Sequence, residues 1–326
     1  MKETISIKDI KGIRIGQTED PEGGTGCTVF LSEAGMAAGM DVRGGGPASR
    51  ESELLKPLAA AQEIHAIVLA GGSAFGLGAA DGVMQYLEER GIGFDVGVTK
   101  VPLVCQSDLF DLTAGAPGAR PDRAMGYEAC LRAEEENYRD GNYGAGCGAT
   151  VGKFAGMDYC MKSGIGSCAL QVGELQVGAV VAVNALGDIY DWRSGQKLAG
   201  LLAEDRRSFR RTEDLMYADT RTVENKFTGN TTIGVVITNA DFQKASLCKI
   251  AGMAHDGYAR SIRPVHTTAD GDSIYAVSVG DAAGKKVSAD QDLVGTLAAE
   301  VMSEAITAAV KSARSAYGLP AWEDIS

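Results

Sequence analysis

Residues 231–238 read TTIGVVIT, a β-branched run whose stiff side chains favour a buried strand, and its surroundings limit what the chain can become. Before it lies Asp205 to Asn230, DRRSFRRTEDLMYADTRTVENKFTGN, which is charged, poor in large apolar residues and weakly periodic. That stretch reads as an exposed connection, or as a surface helix fraying into a loop. After the strand, a helix is expected near 241–262, with Leu247, Ile250, Ala254, Tyr258 and Ile262 on one stripe. A loop holding Asp270-Gly271-Asp272 leads into a second strand, 273–279 (SIYAVSV). A closing helix is expected near 289–314, carrying Leu293, Leu297, Val301 and Val310, with Ser288 as N-cap and Gln291 completing a capping box. The order is strand–helix–strand–helix. If both strands run parallel in one sheet, their starting ends share an edge, and the Thr231 hydroxyl meets the Asp270 and Asp272 carboxylates.

The remainder of the 326 residues is enough for one large domain or two ordinary ones. Ile13 and Ile15 alternate with polar neighbours, as in an early strand. His65–Ala70 (HAIVLA) and Val177–Val183 (VGAVVAV, closed by Asn184) read as buried strands, and Phe75–Arg90 has helical spacing. Glycine is abundant, at 43 residues, and clusters at Gly44–Gly46, Gly71–Gly78 and Gly141–Gly152. No G-x-y period exists, so a collagen helix is excluded, and the clusters instead mark loops where backbone approaches something closely.

A net charge of -12 repels phosphate backbones and argues against nucleic acid as a partner. No basic run suits an anionic membrane, no apolar run is expected to span a bilayer, and Met1–Gly16 has no apolar signal core. Seven cysteines without a CxxC pair suggest reduced thiols and a cytoplasmic location. With His65, His255 and His266 the only histidines, zinc ligation is disfavoured, and no metal or organic cofactor is expected.

The strand start also carries a chemical possibility. A threonine hydroxyl is a weak nucleophile at neutral pH and needs a base. A threonine that begins a chain supplies one itself, because an α-amine has a pKa of about 7.7–8.0. To begin a chain at Thr231, the Asn230–Thr231 bond must break by attack of the hydroxyl on the preceding carbonyl. A deformable segment upstream and a rigid strand downstream suit that step. The plain alternatives are a structural threonine, a turn at Asp270-Gly271-Asp272, and a glycosylation acceptor at Asn230-Thr231-Thr232, idle without secretion.

The stretch GNTTIGVVITNADFQKASLCKIAGMAHDGYARSIRPVHTTADGDSIYAV strongly resembles the L-aminopeptidase/D-esterase family, which includes DmpA-type aminopeptidases, β-aminopeptidases and the nylon-oligomer hydrolase. So do RGGGPASRESELL, LAGGSAFGLGAADGV, GAGCGATVGK and VGAVVAVNALGD, in the family's order, so that the resemblance covers nearly the whole chain. It implies an α/β fold, a four-layer α/β/β/α sandwich similar to the N-terminal-nucleophile hydrolases, in a single catalytic domain over 1–326. It implies autocleavage into an α chain, 1–230, and a β chain, 231–326, that stay associated, and a homo-oligomer, most often a tetramer. The implied activity is an amidohydrolase or aminopeptidase acting on small peptide or amide substrates through an acyl-enzyme. The family's nucleophile falls on Thr231 and its cleavage partner on Asn230. The carboxylate pair of the nylon-hydrolase branch falls on Asp270 and Asp272, where the β-aminopeptidase branch has a Ser and a Glu, and the lysine of the former branch falls on Lys153; the oxyanion-stabilising asparagine falls on Asn184 and a substrate-lining aromatic on Phe110. Phe110 departs from the tyrosine of some members and lacks its hydroxyl. Cys147, in the glycine-rich block, reads either as a site residue or as a neutral loop thiol.

Three other readings fit less well. GAGCGATVGK resembles a P-loop by eye, yet Cys147 stands where glycine is needed and Phe154 where Ser or Thr should hold magnesium. An acyltransferase of the ornithine acetyltransferase type would keep the fold and transfer the acyl group to an amine, but its characteristic cleavage motif is absent. A processed, non-catalytic binding protein is the third.

Overall fold

The computed structural model describes residues 1–218, 229–281 and 283–325. Its organising element is an 18-residue strand, β3 (Thr25–Val42), which belongs to two sheets. Residues 25–31 of β3 pair with β2 (Arg14–Asp20) and with β5 (Ile64–Ala70). A register irregularity between Leu31 and Met36 follows, and residues 37–42 pair with β10 (Ser273–Ser278). The other strands of this ten-stranded array are β1 (Lys2–Ile5), β4 (Ala48–Arg50), β6 (Val104–Asp108), β7 (Ile165–Val172), β8 (Leu175–Asn184) and β9 (Thr231–Thr238). The full order is β1-β7-β8-β9-β10-β3-β5-β6-β4, with β2 beside β3.

Alternation along the strands explains the layering. Val180 and Ala182 of β8, Ile233 and Val235 of β9, and Tyr275 of β10 share a core with Phe30, Ile67, Leu69 and Cys105 of the other sheet. A bond of 2.7 Å between the Ser107 and Tyr275 hydroxyls crosses this interior. The opposite face of the first sheet, with Val181, Val236 and Ile274, packs on α3 (Lys244–Ser261) and α4 (Gln291–Ser312). The opposite face of the second, with Val29, Leu31 and Val68, packs on α1 (Ala79–Glu89) and α2 (Arg123–Glu134). Three apolar interiors between four layers make the α/β/β/α sandwich. The two strands expected to be parallel are parallel, with Ile233 opposite Ser273.

Some expectations need correction. The last helix begins at Gln291, and Asp290, not Ser288, caps it, accepting from the amides of Asp292 and Leu293 at 3.0 and 2.9 Å. An ionised carboxylate also complements the positive end of the helix better than a hydroxyl does. Leu293 is largely exposed, while Leu297, Val301 and Val310 are buried. Contrary to expectation, α4 is long and apolar enough to cross a membrane, yet most of it is buried within the fold. Phe75–Gly78 is a 3-10 turn with Phe75 exposed, and the α-helix starts only at Ala79. Within the charged stretch, Thr212–Ala218 is a short helix and Gly229–Asn230 is buried. Residues 219–228 of that stretch lie outside the described residues.

Candidate active site

Thr231 is the first residue of β9, and Asn184 is the last of β8; the antiparallel register sets them directly opposite one another. Both are buried. The Thr231 hydroxyl donates to the carbonyl oxygen of Asn230, the residue before it. The nucleophile candidate thus lies against the carbonyl it would have to attack.

The Asn184 amide is oriented by its neighbours. Its Oδ1 accepts from the Lys153 ammonium at 2.8 Å and from the Thr150 backbone N–H at 3.0 Å. Its Nδ2 donates to the Phe110 carbonyl at 2.8 Å, which leaves one amide hydrogen for another acceptor. Lys153 also donates to the Asn184 carbonyl at 3.2 Å and to the Gly229 carbonyl at 3.0 Å. All three ammonium hydrogens therefore meet neutral oxygens, and no direct ion pair forms with a carboxylate among the described residues. Burial lowers the Lys153 pKa to about 7, opposed by Cys160, Asp270 and Asp111 at longer range. Attraction between Lys153 and the carboxylates of Asp270 and Asp111 therefore acts at longer range only.

The two aspartates flank Gly271, and this turn presses on the threonine. A Cβ on Gly271 would stand 2.7 Å from the Thr231 hydroxyl oxygen and 2.8 Å from the Gly46 carbonyl, so only glycine fits. Asp272 receives the Thr232 backbone N–H on Oδ1 at 2.8 Å and the His266 backbone N–H on Oδ2 at 3.1 Å, with His266 Nδ1 2.8 Å from the same oxygen. Asp270 accepts from the Thr267 backbone and hydroxyl. Burial, then the charge of Asp272, raises the Asp270 pKa to about 6. The Gly44–Gly46 cluster supports this turn from behind: Gly46 N–H donates to the Asp270 carbonyl at 2.8 Å, and Arg43 N–H to that of Asp272 at 3.0 Å.

Phe110 takes part through two features. Its carbonyl holds Asn184, and its ring lies against Gly229, where a Cβ would come within 1.9 Å of the ring carbons. Every residue singled out from sequence therefore converges here, except Cys147. That thiol is buried beside the Tyr317 hydroxyl at 3.4 Å, with its pKa raised by burial, as a neutral structural group. All seven cysteines are unpaired.

Sequence reasoning passed over three groups. His266 stands four residues before Asp270 in a stretch already quoted, and only its contact with Asp272 gives it a role. Asp111, next to Phe110, accepts from Thr25 and the Gly72 amide, with its pKa raised by burial to about 6. Lys162 is fully buried, donates to the carbonyls of Gly146, Ala149 and Ser163, and has its pKa lowered by burial to about 7. Nothing around Lys162 in the sequence signals this. No cluster of side chains suited to a metal occurs among the described residues.

Comparison with known proteins shows the family. The model of peptidase family S58 matches residues 6–321. A protein of Mycobacterium bovis described as an uncharacterized aminopeptidase is 37% identical over 346 residues, covering 98% of this chain and 97% of that one. The 6-aminohexanoate-oligomer endohydrolase of Kocuria sp. is 31% identical over 323 residues, covering 95% of this chain and 87% of the relative. In fold, the chain is similar to a Burkholderia sp. β-aminopeptidase (TM-score 0.68, 19% identity, 98% of this chain and 91% of that one). It is similar too to the L-aminopeptidase D-Ala-esterase/amidase of Ochrobactrum anthropi (TM-score 0.69, 16% identity, 94% and 86% covered). A family match across almost the whole sequence, joined to relatives of this identity and coverage, means that the chain belongs to peptidase family S58 and is an amidohydrolase.

Proposed function

We propose that this protein cuts its own Asn230–Thr231 bond and then uses Thr231, now an N-terminal residue, to hydrolyse short amides through an acyl-enzyme. One observation carries the reading: the Thr231 hydroxyl, at the start of a central strand, is bonded to the carbonyl of its own preceding residue.

In processing, the Thr231 oxygen forms a bond to the Asn230 carbonyl carbon while the C–N bond breaks. The hydroxyl proton ends on the nitrogen, which becomes the α-amine of Thr231. Water then hydrolyses the ester, freeing the Asn230 carboxyl group and restoring the hydroxyl. In turnover the freed amine is the base, and the same oxygen is acylated by a substrate amide and released by water. The unspent N–H of Asn184 is the donor for the oxyanion, and Lys153 holds that amide in orientation. Asp270 and Asp272 brace the Gly271 turn against the hydroxyl, and Asp270 supplies negative charge that acts on Lys153 at longer range. Linear peptide-like or ω-amino-acid amides are the substrate class, in keeping with an aminopeptidase and a 6-aminohexanoate-oligomer endohydrolase among the relatives.

Intact mass of freshly purified protein, followed over long incubation, tests this. Two species dividing at Thr231 are expected. Thr231→Ala is expected to stay in one piece and lack amidase activity, and a cleaved, active Thr231→Ala protein ends the proposal.

A further inference from the structure

The ester formed during self-cleavage is chemically an acyl-enzyme. Its acyl group is the chain's own Asn230, attached to the oxygen that later carries the acyl group of a substrate. Residues 229 and 230 therefore occupy the acyl side of the site before any substrate arrives. A cavity of about 510 Å3, lined by Lys8, Arg14, Glu33 and Lys286 among others, lies away from Thr231. On the acyl side of Thr231, Gly229 and Asn230 are themselves buried.

The fit of these two residues describes the site they fill. Asn230 is 2% exposed, yet among the described residues neither its side-chain oxygen nor its nitrogen has a hydrogen-bond partner. A polar amide so enclosed pays for lost water without compensation, so its surroundings suit an uncharged, apolar group of the same size better than asparagine. At Gly229 the demands differ. Its carbonyl accepts from Lys153 at 3.0 Å, and its Cα lies on the Phe110 ring with no room for a Cβ.

We propose, building on the self-processing reading above, that Gly229 and Asn230 trace two acyl-side subsites that the mature enzyme uses for substrate. The subsite next to Thr231 takes an uncharged apolar side chain of about leucine size. The next takes a unit without a side chain, its carbonyl on Lys153 and its α-carbon on Phe110. The preferred substrates are amides whose acyl part is glycyl followed by an apolar residue, or an unbranched chain of equal length.

The test has two arms. In the first, p-nitroaniline release by the two-chain protein is measured. Gly-Leu-p-nitroanilide is expected to exceed Ala-Leu-, Gly-Asp- and Gly-Lys-p-nitroanilide in kcat/KM by about tenfold or more. Phe110→Ala should selectively restore the Ala-Leu compound. Leu-p-nitroanilide outpacing Gly-Leu-p-nitroanilide, or indifference to alanine, overturns the second subsite, and preference for Asp or Lys overturns the first. In the second arm, self-cleavage of the precursor is timed on gels. Asn230→Leu should mature at least as fast as the natural chain and Asn230→Lys about tenfold more slowly. Gly229→Ala should be slow and regain speed with Phe110→Ala. Equal rates throughout overturn the inference. A natural chain that neither matures nor cleaves any anilide instead overturns the underlying reading, so the two failures are distinguishable.

Discussion

Asn184 illustrates how one side chain can serve two purposes. Its oxygen is held by Lys153 and the Thr150 amide, and its nitrogen is thereby turned toward Phe110 with one hydrogen unspent. Removing that donor by Asn184→Ala is expected to lower turnover by about 100-fold or more. Wild-type kcat in purified, matured Asn184→Ala would remove it from the site. Asp270 offers a pH signature. With its pKa raised to about 6, the carboxyl group takes up a proton as pH falls through that value, and the charge facing Lys153 is lost. Processing rate and kcat/KM are both expected to drop below about pH 6, and rates flat from pH 5 to 7 would contradict this. The effect on stability has the opposite sign. The folded carboxyl holds its proton to a higher pH than the ordinary value of 3.8, so the native state loses stability as pH rises from about 4 to about 6. Activity and stability are opposed at this residue.

Among the secondary-structure elements, the parallel pair β9–β10 does most to create the site. Parallel pairing brings the start of β9, with its threonine, beside the turn that feeds β10, with its two carboxylates. The Gly44–Gly46 loop after β3 then backs that turn through main-chain bonds. The two sheets must also stay in register with each other, and the Ser107–Tyr275 bond is a polar tie across an otherwise apolar interior. Tyr275→Phe leaves the Ser107 hydroxyl without this partner and is expected to cost about 1–2 kcal/mol in denaturant unfolding. No change in the unfolding midpoint would show that the tie contributes nothing.

For the molecule as a whole, the sheet order bears on the proposed cleavage before Thr231. Strands β9 and β10 lie between β8 and β3, so residues after Thr231 fill the centre of a sheet whose flanks come from residues before it. A break at the first residue of β9 leaves the ladder from Thr232–Val183 to Thr238–Val177 intact. Taking β9 and β10 out would expose two apolar strand faces at once. The two chains are therefore expected to co-elute under native conditions and to unfold in one transition, separating only in denaturant. Separate elution of a folded 1–230 fragment would contradict this.

Much of this arrangement was legible in one dimension. TTIGVVIT and SIYAVSV announce buried strands by their branched residues, and the helical spacing between them makes a parallel pair the natural solution, which is why Thr231 and the Asp270–Asp272 turn could be expected to meet. Local chemistry was legible less evenly: the start of α4 fell to Asp290 because a carboxylate two residues on outcompeted the hydroxyl of Ser288. What no local pattern announces is contact between segments that neither share an element nor follow one another. Lys153 meeting Gly229, Phe110 lying on the same glycine, His266 gripping Asp272 and Lys162 closing on three carbonyls all arise from loops brought together by packing of the layers. Periodicity records which face of an element is buried; it carries no record of which distant backbone will lie against that face, and in this protein the chemistry is assembled from such encounters.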